Sequence, residues 1–574
     1  VFLYTLKPGA VKRLNSLLKN PLTFDSIEFI ESNKEQIAKL PSDVNDIYQM
    51  CNAFEQGKQN AYPLMNNVIF QLQRNVGLVG LNGVIPCDLP IEACLDGASA
   101  EDMRAVDVNR VDIVNQQIER LHELFSIKDK FESKHDLTCE VSRVIEVFLL
   151  SEHMYLVFYG LAKVKYQDSS LNFSVNDETH NKFFKSKWFA NFWETSSAIT
   201  NFANFNLMPD GFSISDARLF IKSMSDVFLD KVFSINSNYM TRRLSNTDGF
   251  KLMGLICDII AVLFYAQFKL NKNNAHFNDL NAFGLTADDI EKVKLVNNEL
   301  DQMDRLFNFR PSSVDLVNPC VSIRSRRLIE SLIKVSGENK FDDVIGHHFE
   351  KQYIPDYILN TLNEGGVRFR LHGELLSEQA IPGEKDGDVD LIVEDTCGSK
   401  FYFMQIKYLR NAGKPFIRGD VEYLTNKNIH KGVFQLAKMK EYHAKGMLDQ
   451  ILESKSIAAC TPENTTYMLV TNVTNLDFQK DERSGVVCYE WNSLRNLLLN
   501  GRCWYGHSND MNSQKEWRYH SPLPLEEPSM VIDILLAHSP ALKAIDAELI
   551  FRSKYLATKF RVGDVQCNSI GLGM

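Results

Sequence analysis

Up to about residue 309 the apolar positions recur at three-and-four spacing with charges between them, as in DVNRVDIVNQQIERLHELFSI and TADDIEKVKLVNNELDQMDRLFNF. This is the spacing of helices that bury one face. The second run opens on Thr286 followed by Asp288 and Asp289, an N-cap with acids in its first turn. NVGLVGLNGVIPCDLP breaks the rhythm with glycines and prolines and reads as a loop or short hairpin, and NFRPSSVDLVNPC reads as a linker. Beyond it the texture changes. FDDVIGHHFEKQYIPDYILNTLN predicts a helix, and VRFRLHGELL, VDLIV, FYFMQIKY, TTYMLVTNV and GVVCYEW predict strands. A helical stretch, KGVFQLAKMKEYHAKGMLDQILES, falls among those strands. Strands alternating with helices indicate an α/β domain with a central mixed sheet. The expected organisation is multidomain: a large all-α region over 1–309, a linker over 310–324, an α/β domain over 325–505 and a partly helical extension over 506–574.

Composition narrows the classes. A chain of 574 residues exceeds what one core organises, so two to four domains are expected. Its 44% hydrophobic and 24% charged residues are those of a globular protein rather than a disordered one. The net charge of −10 supplies no global attraction to nucleic acid, so a polyanion site has to be a local basic patch. Eleven cysteines are scattered singly with no CxxC pair. That pattern argues against a disulfide framework or a zinc ribbon and for a reducing, cytoplasmic setting. The apolar runs 252–268 and 144–164 contain Asp258 and Glu146, Glu152 and His153 respectively; both read as buried helices rather than membrane spans. No P-loop, GxSxG elbow or HExxH occurs.

One stretch does not fit core or loop: GEKDGDVDLIVEDTCGSKFYFMQIKYLR, 383–410. If DTCGSK is a tight turn centred near Cys397 and Gly398, antiparallel pairing sets Asp390 across from Gln405. Lys407, two residues on, projects from the same face as Gln405. An acid, an amide and an ammonium then meet at one end of an otherwise apolar hairpin. Carboxylate and amide oxygens are hard ligands, suited to Mg²⁺ or Mn²⁺ and poor for zinc. A lysine beside them orients or helps deprotonate a water, or neutralises charge on phosphate. Glu350, in GHHFEKQ on the preceding helix, is the expected further acid. A sheet-internal ion pair between Asp390 and Lys407 is the structural alternative. Asp386 and Asp388 read as turn formers and solvent-facing acids, with a spare metal ligand as the alternative for one of them. Glu374 and Glu378 read as surface acids, with approach to the same mouth as the alternative; His347 and His348 read as packed or exposed helix residues, with substrate contact as the alternative.

GDVDLIV followed by FMQIKY, with a glutamate on an upstream helix, resembles the PD-(D/E)xK nuclease signature, and its QxK form is similar to that of Mrr-like restriction endonucleases. The resemblance covers the α/β region alone. It implies a restriction-endonuclease-like fold and a Mg²⁺- or Mn²⁺-dependent endonuclease acting on DNA, RNA being the less favoured substrate, with a role in restriction or anti-phage defence. Asp390, the Gln405 side chain, the Ile406 carbonyl and Glu350 would bind the metal, with Lys407 assisting the attacking water. Gln in place of Glu removes one negative charge and weakens metal affinity. The alternative is therefore a cleavage-incompetent nuclease-like domain in a helical module that binds nucleic acid or protein. Between residues 400 and 445 there are ten Lys or Arg and three Asp or Glu, a local excess of positive charge. Lys414, Arg418, Lys427, Lys431, Lys438 and Lys440 are candidates for the phosphate path, against the plainer reading of a solvated helix face. DNA is the expected partner, and the helical region would serve a homo-oligomer or protein partner; no membrane contact is expected.

Overall fold

The computed structural model of the chain describes residues 163–167, 170–174, 186, 189–190, 201–300, 305–316, 328–409, 427–473, 477–481, 484–499, 503–505, 515–517, 522–538, 557–562 and 565–570. The expected hairpin or loop near residue 80 and the 144–162 run lie outside these. The chain forms two compact units, one of residues 1–185, 413–426 and 543–574, the other of 186–412 and 427–542. In the first, Lys163–Gln167, Ser170–Ser174, Val565–Ile570 and Ala557–Val562 form a four-stranded sheet in that order. The all-α expectation for 1–309 therefore fails at 163–174, and the helical pattern read through Phe560 gives way to a strand there. KVKYQ and SLNFS alternate in the two-residue period of a strand, a signal that the surrounding helical pattern obscured.

The second unit begins helical. Asp248–Leu270 is a 23-residue helix whose N-cap Thr247 accepts the Phe250 amide at 3.3 Å. Among the described residues it alone is long and apolar enough to cross a membrane, and most of it is buried in the protein. Phe202 stacks on its Phe264 with centroids 4.3 Å apart. Its one internal acid, Asp258, is satisfied, its Oδ1 accepting from Lys222 Nζ at 2.8 Å and Ser225 Oγ at 2.5 Å, as a buried carboxylate requires. Thr286 caps Ala287–Glu299 through a reciprocal bond with Asp289.

The expected boundary at 310–324 is corrected by the structure. Ser313–Leu316 is the central strand of a small antiparallel sheet between Asn274–His276 and Phe307–Phe309, with Val314 fully buried. The same hydrophobic core continues through Leu328–Ser336 to Phe341 and Ile345. At Gly249 a Cβ would stand 2.8 Å from the Phe341 ring, so the two helices touch where only glycine fits. The helical residues from 201 onward and the α/β residues accordingly share one unit.

The predicted helix over 341–362 forms, with a variation. Phe341–His348 is α-helical, Phe349–Tyr353 and Tyr357–Leu362 are π-helical, and Ile354–Asp356 lies between. A proline ring inside a helix presses on the carbonyl four residues earlier, here that of Lys351, and the helix widens around Pro355 into longer turns. A mixed six-stranded sheet follows, in the order Gln479–Lys480, Val487–Glu490, Thr465–Thr471, Lys400–Lys407, Leu391–Asp395, Phe369–Leu371. Lys400–Lys407 runs antiparallel to Leu391–Asp395 and parallel to Thr465–Thr471, an α/β arrangement whose two central strands are buried on both faces. The helix Lys427–Ala444 packs against it. Pro528–His538, expected in a separate extension, belongs to the same compact unit.

Candidate active site

The hairpin register is set at its turn. Asp395 Oδ1 accepts the amides of Cys397 and Gly398 at 3.1 and 3.3 Å, and Arg368 holds the same carboxylate through Nε at 3.1 Å and Nη2 at 2.7 Å. A buried carboxylate with that many donors fixes the turn, and the ladder runs from Lys400 opposite Asp395 to Met404 opposite Leu391. There the ladder ends: Asp390 lies in a bend, and its amide donates to the Met404 carbonyl at 2.9 Å, one position out of the ladder's register, so the expected pairing of Asp390 with Gln405 does not form.

The side chains then divide into two groups. Asp390 Oδ2 accepts the Ile406 amide at 2.8 Å and Lys407 Nζ at 3.2 Å. Its Oδ1 lies 3.7 Å from Lys351 Nζ. Gln405, completely buried, turns elsewhere: its Nε2 donates to Asp388 Oδ2 and to Gln435 Oε1, each at 3.3 Å, while Gln435 Nε2 donates to the same Asp388 oxygen at 3.3 Å. Both amide hydrogens of Gln405 are thereby engaged, and its Oε1 is buried without a partner. An unpaired buried carbonyl is costly unless something completes it.

Glu350 sits in the first π-helical turn and is half-buried. It accepts the Tyr408 amide; burial pushes its carboxyl above the ordinary range, Lys407 pulls it back and Asp390 pushes it further. Glu350, Asp390 and Lys407 thus share one electrostatic neighbourhood. Burial, and then the charge of Asp390, also raises Asp388. The helix over 427–444 reaches this face through Gly432, where a Cβ would lie 2.9 Å from Leu469 Cδ1, 3.4 Å from Gln405 Cγ and 3.9 Å from Lys407 Cε. That the same glycine faces both Gln405 and Lys407 places the two on one side of the sheet.

The donor set is one for a hard cation. Among the described residues no group of three or more His, Cys, Asp or Glu is placed to hold a metal, so a pure carboxylate cage is not what this site offers. It gathers the Asp390 carboxylate with Lys407, Lys351 and the nearby charge of Glu350, while the bare Gln405 Oε1 belongs to the Asp388–Gln435 group on the same hairpin. The Ile406 carbonyl leaves its strand on the same side as the Ile406 amide, which is the Asp390 side. The orphaned Gln405 oxygen is the feature of this structure that a divalent metal would satisfy, and oxygen donors of this kind suit Mg²⁺ or Mn²⁺.

The basic candidates separate. Lys414 and Arg418 lie outside the described residues. Lys427 begins the 427–444 helix. Lys431 is exposed one turn before Gln435. Lys438 pairs with Glu441 at 3.1 Å, and Lys440 donates to the Ser484 carbonyl at 2.8 Å, which directs it away from a phosphate path. Two site residues were missed from sequence, Gln435 and Lys351, and Asp388, read as a turn former, instead bonds Gln405 and Gln435. Asp388 carried a readable signal, since positions 388 and 390 flank buried Val389 and share a strand side. Gln435 follows Gly432 by one helical turn, and only tertiary packing shows what either faces. A scan against protein-family models and searches of curated proteins and of solved structures return no match to this chain.

Proposed function

We propose that this chain is a metal-dependent endonuclease of the PD-(D/E)xK kind, hydrolysing phosphodiester bonds in DNA, with Mg²⁺ or Mn²⁺ as its cofactor. The observation that carries the reading is the meeting of Asp390, Ile406 and Lys407 at the end of the hairpin; a buried Gln405 oxygen on the same strand with nothing bonded to it supports it. Asp390, Gln405, the Ile406 carbonyl and Glu350 would hold the ion. The ion supplies charge stabilisation on the phosphate and a more acidic water. Lys407 supports the reaction from the protein side: its ammonium, held by Asp390, positions the attacking water and faces the charge that builds on phosphorus. The water oxygen bonds to phosphorus as a bridging P–O bond breaks, giving a phosphomonoester and a hydroxyl. Exposed Lys431 supports backbone contact along the 427–444 helix.

Conversion of supercoiled plasmid in the presence of Mg²⁺ or Mn²⁺ tests this. Asp390→Ala and Lys407→Ala should each abolish cutting while circular dichroism stays that of the folded protein. Cleavage that survives both changes removes the mechanism. A second reading rests on one observation, that Asp390 is already neutralised by Lys407 and Lys351. In that reading the domain binds nucleic acid without cutting it, and the same assay returns salt-sensitive retardation without products. Repeating the assay with RNA decides the substrate.

A further inference from the structure

We infer that Lys351 is a positioning residue that holds Asp390 in the metal-free protein and moves to the substrate phosphate when Asp390 takes up a divalent cation. The inference rests on the nuclease reading above and concerns how that site is loaded. Asp390 has two oxygens with different surroundings. Oδ2 is occupied from within the hairpin by the Ile406 amide and Lys407 Nζ. Oδ1 is met from outside it by Lys351 Nζ, 3.7 Å away. A cation that binds Asp390 without dismantling the hairpin approaches through Oδ1, where the positive charge of Lys351 repels it.

Lys351 is built to give way. It stands beside Glu350 on the widened π-helical turn, and its side chain is 40% exposed where that of Lys407 is 20% exposed. Its second partner, Glu374 Oε2 at 3.4 Å, belongs to a side chain that is itself 56% exposed. A long, charged, half-exposed side chain at the mouth of a phosphodiester site then has one natural counter-ion, the phosphate of the substrate.

Isothermal titration of metal-free protein with Mn²⁺, in wild type, Lys351→Gln and Lys351→Arg, tests the exchange. Lys351→Gln should bind Mn²⁺ about fivefold more tightly, the equivalent of one partly exposed ion pair. Its KM for a DNA duplex should rise by more than its kcat falls. Lys351→Arg should restore the wild-type values. Equal or weaker Mn²⁺ binding by Lys351→Gln, with wild type binding normally, overturns the inference and leaves the nuclease reading standing. Absence of Mn²⁺ binding in wild type overturns both.

Discussion

His348 is buried to 1% exposure at the end of the Phe341–His348 helix, beside the Tyr353 ring, and neither of its ring nitrogens has a hydrogen-bond partner. Burial drives its pKa from 6.5 down to about 4, with Asp356 pulling it up and His347 pushing it down. The folded protein consequently holds this imidazole neutral over a range where the unfolded chain protonates it. Stability from His348 is complete above pH 6.5 and is lost as the pH falls toward 4, below which both states carry the proton. At roughly 1.4 kcal/mol per pKa unit, the shift amounts to about 3 kcal/mol. Other groups also titrate in this window, so the measurement is a difference. Urea unfolding of wild type and His348→Leu at several pH values between 7 and 4 isolates the residue. Tryptophan fluorescence is a suitable probe because Trp491 is buried with its ring 6.2 Å from that of Tyr353. The variant should gain about 3 kcal/mol relative to wild type on going from pH 7 to 4. A difference that does not change with pH, or an NMR titration of His348 near 6.5, would refute the reasoning.

Gly432→Ala should lower both stability, by about 1–3 kcal/mol, and plasmid cleavage, because its methyl group would sit 2.9 Å from Leu469 Cδ1 and press toward Gln405; thermal melts and the cleavage assay report the two effects. Gln435→Leu releases the Gln405 amide from one of its two acceptors and should weaken Mn²⁺ binding by roughly 10- to 100-fold, as loss of a ligand-orienting partner does, read by calorimetry. Arg495 donates to Asp230 at 2.8 Å and to Tyr353 at 2.7 Å, tying the 218–233, 341–362 and 491–498 helices together. Arg495→Ala should cost about 3–5 kcal/mol, since it leaves the Asp230 carboxylate without its buried counter-ion. Chemical denaturation gives the value, and a loss below about 1 kcal/mol would show that the pair does not organise these helices.

The parts of this architecture that were legible in the sequence are those governed by local rules. The turn residues of DTCGSK fix the hairpin centre and with it the ladder down to Met404 opposite Leu391, and the two-residue period puts Gln405 and Lys407 on one face; Asp390 falls one position out of that register. Thr286 and its acids announced their helix for the same reason. The linker reading failed because prolines and serines describe only a segment's own preferences. Ser313–Leu316 is held as a strand between Phe307–Phe309 just before it and Asn274–His276, almost forty positions away in the chain and invisible to composition. The Gln405 side chain is a similar case. The expected register set it against Asp390, yet the amide bonds to Asp388 and to Gln435 from a helix thirty residues on, a choice made by packing. The π-helical turns around Glu350 and Lys351 could be traced to Pro355 only once the helix was seen to continue through it.

The central claim is that the polar ends of two neighbouring strands grip a divalent cation. A crystal soaked in Mn²⁺ and measured at a wavelength where manganese scatters anomalously tests it most directly. An anomalous peak is expected at the Asp390 carboxylate and the Gln405 oxygen, with Lys351 turned away from Asp390. Strong manganese peaks elsewhere, with Asp390 still paired to both lysines, would contradict it.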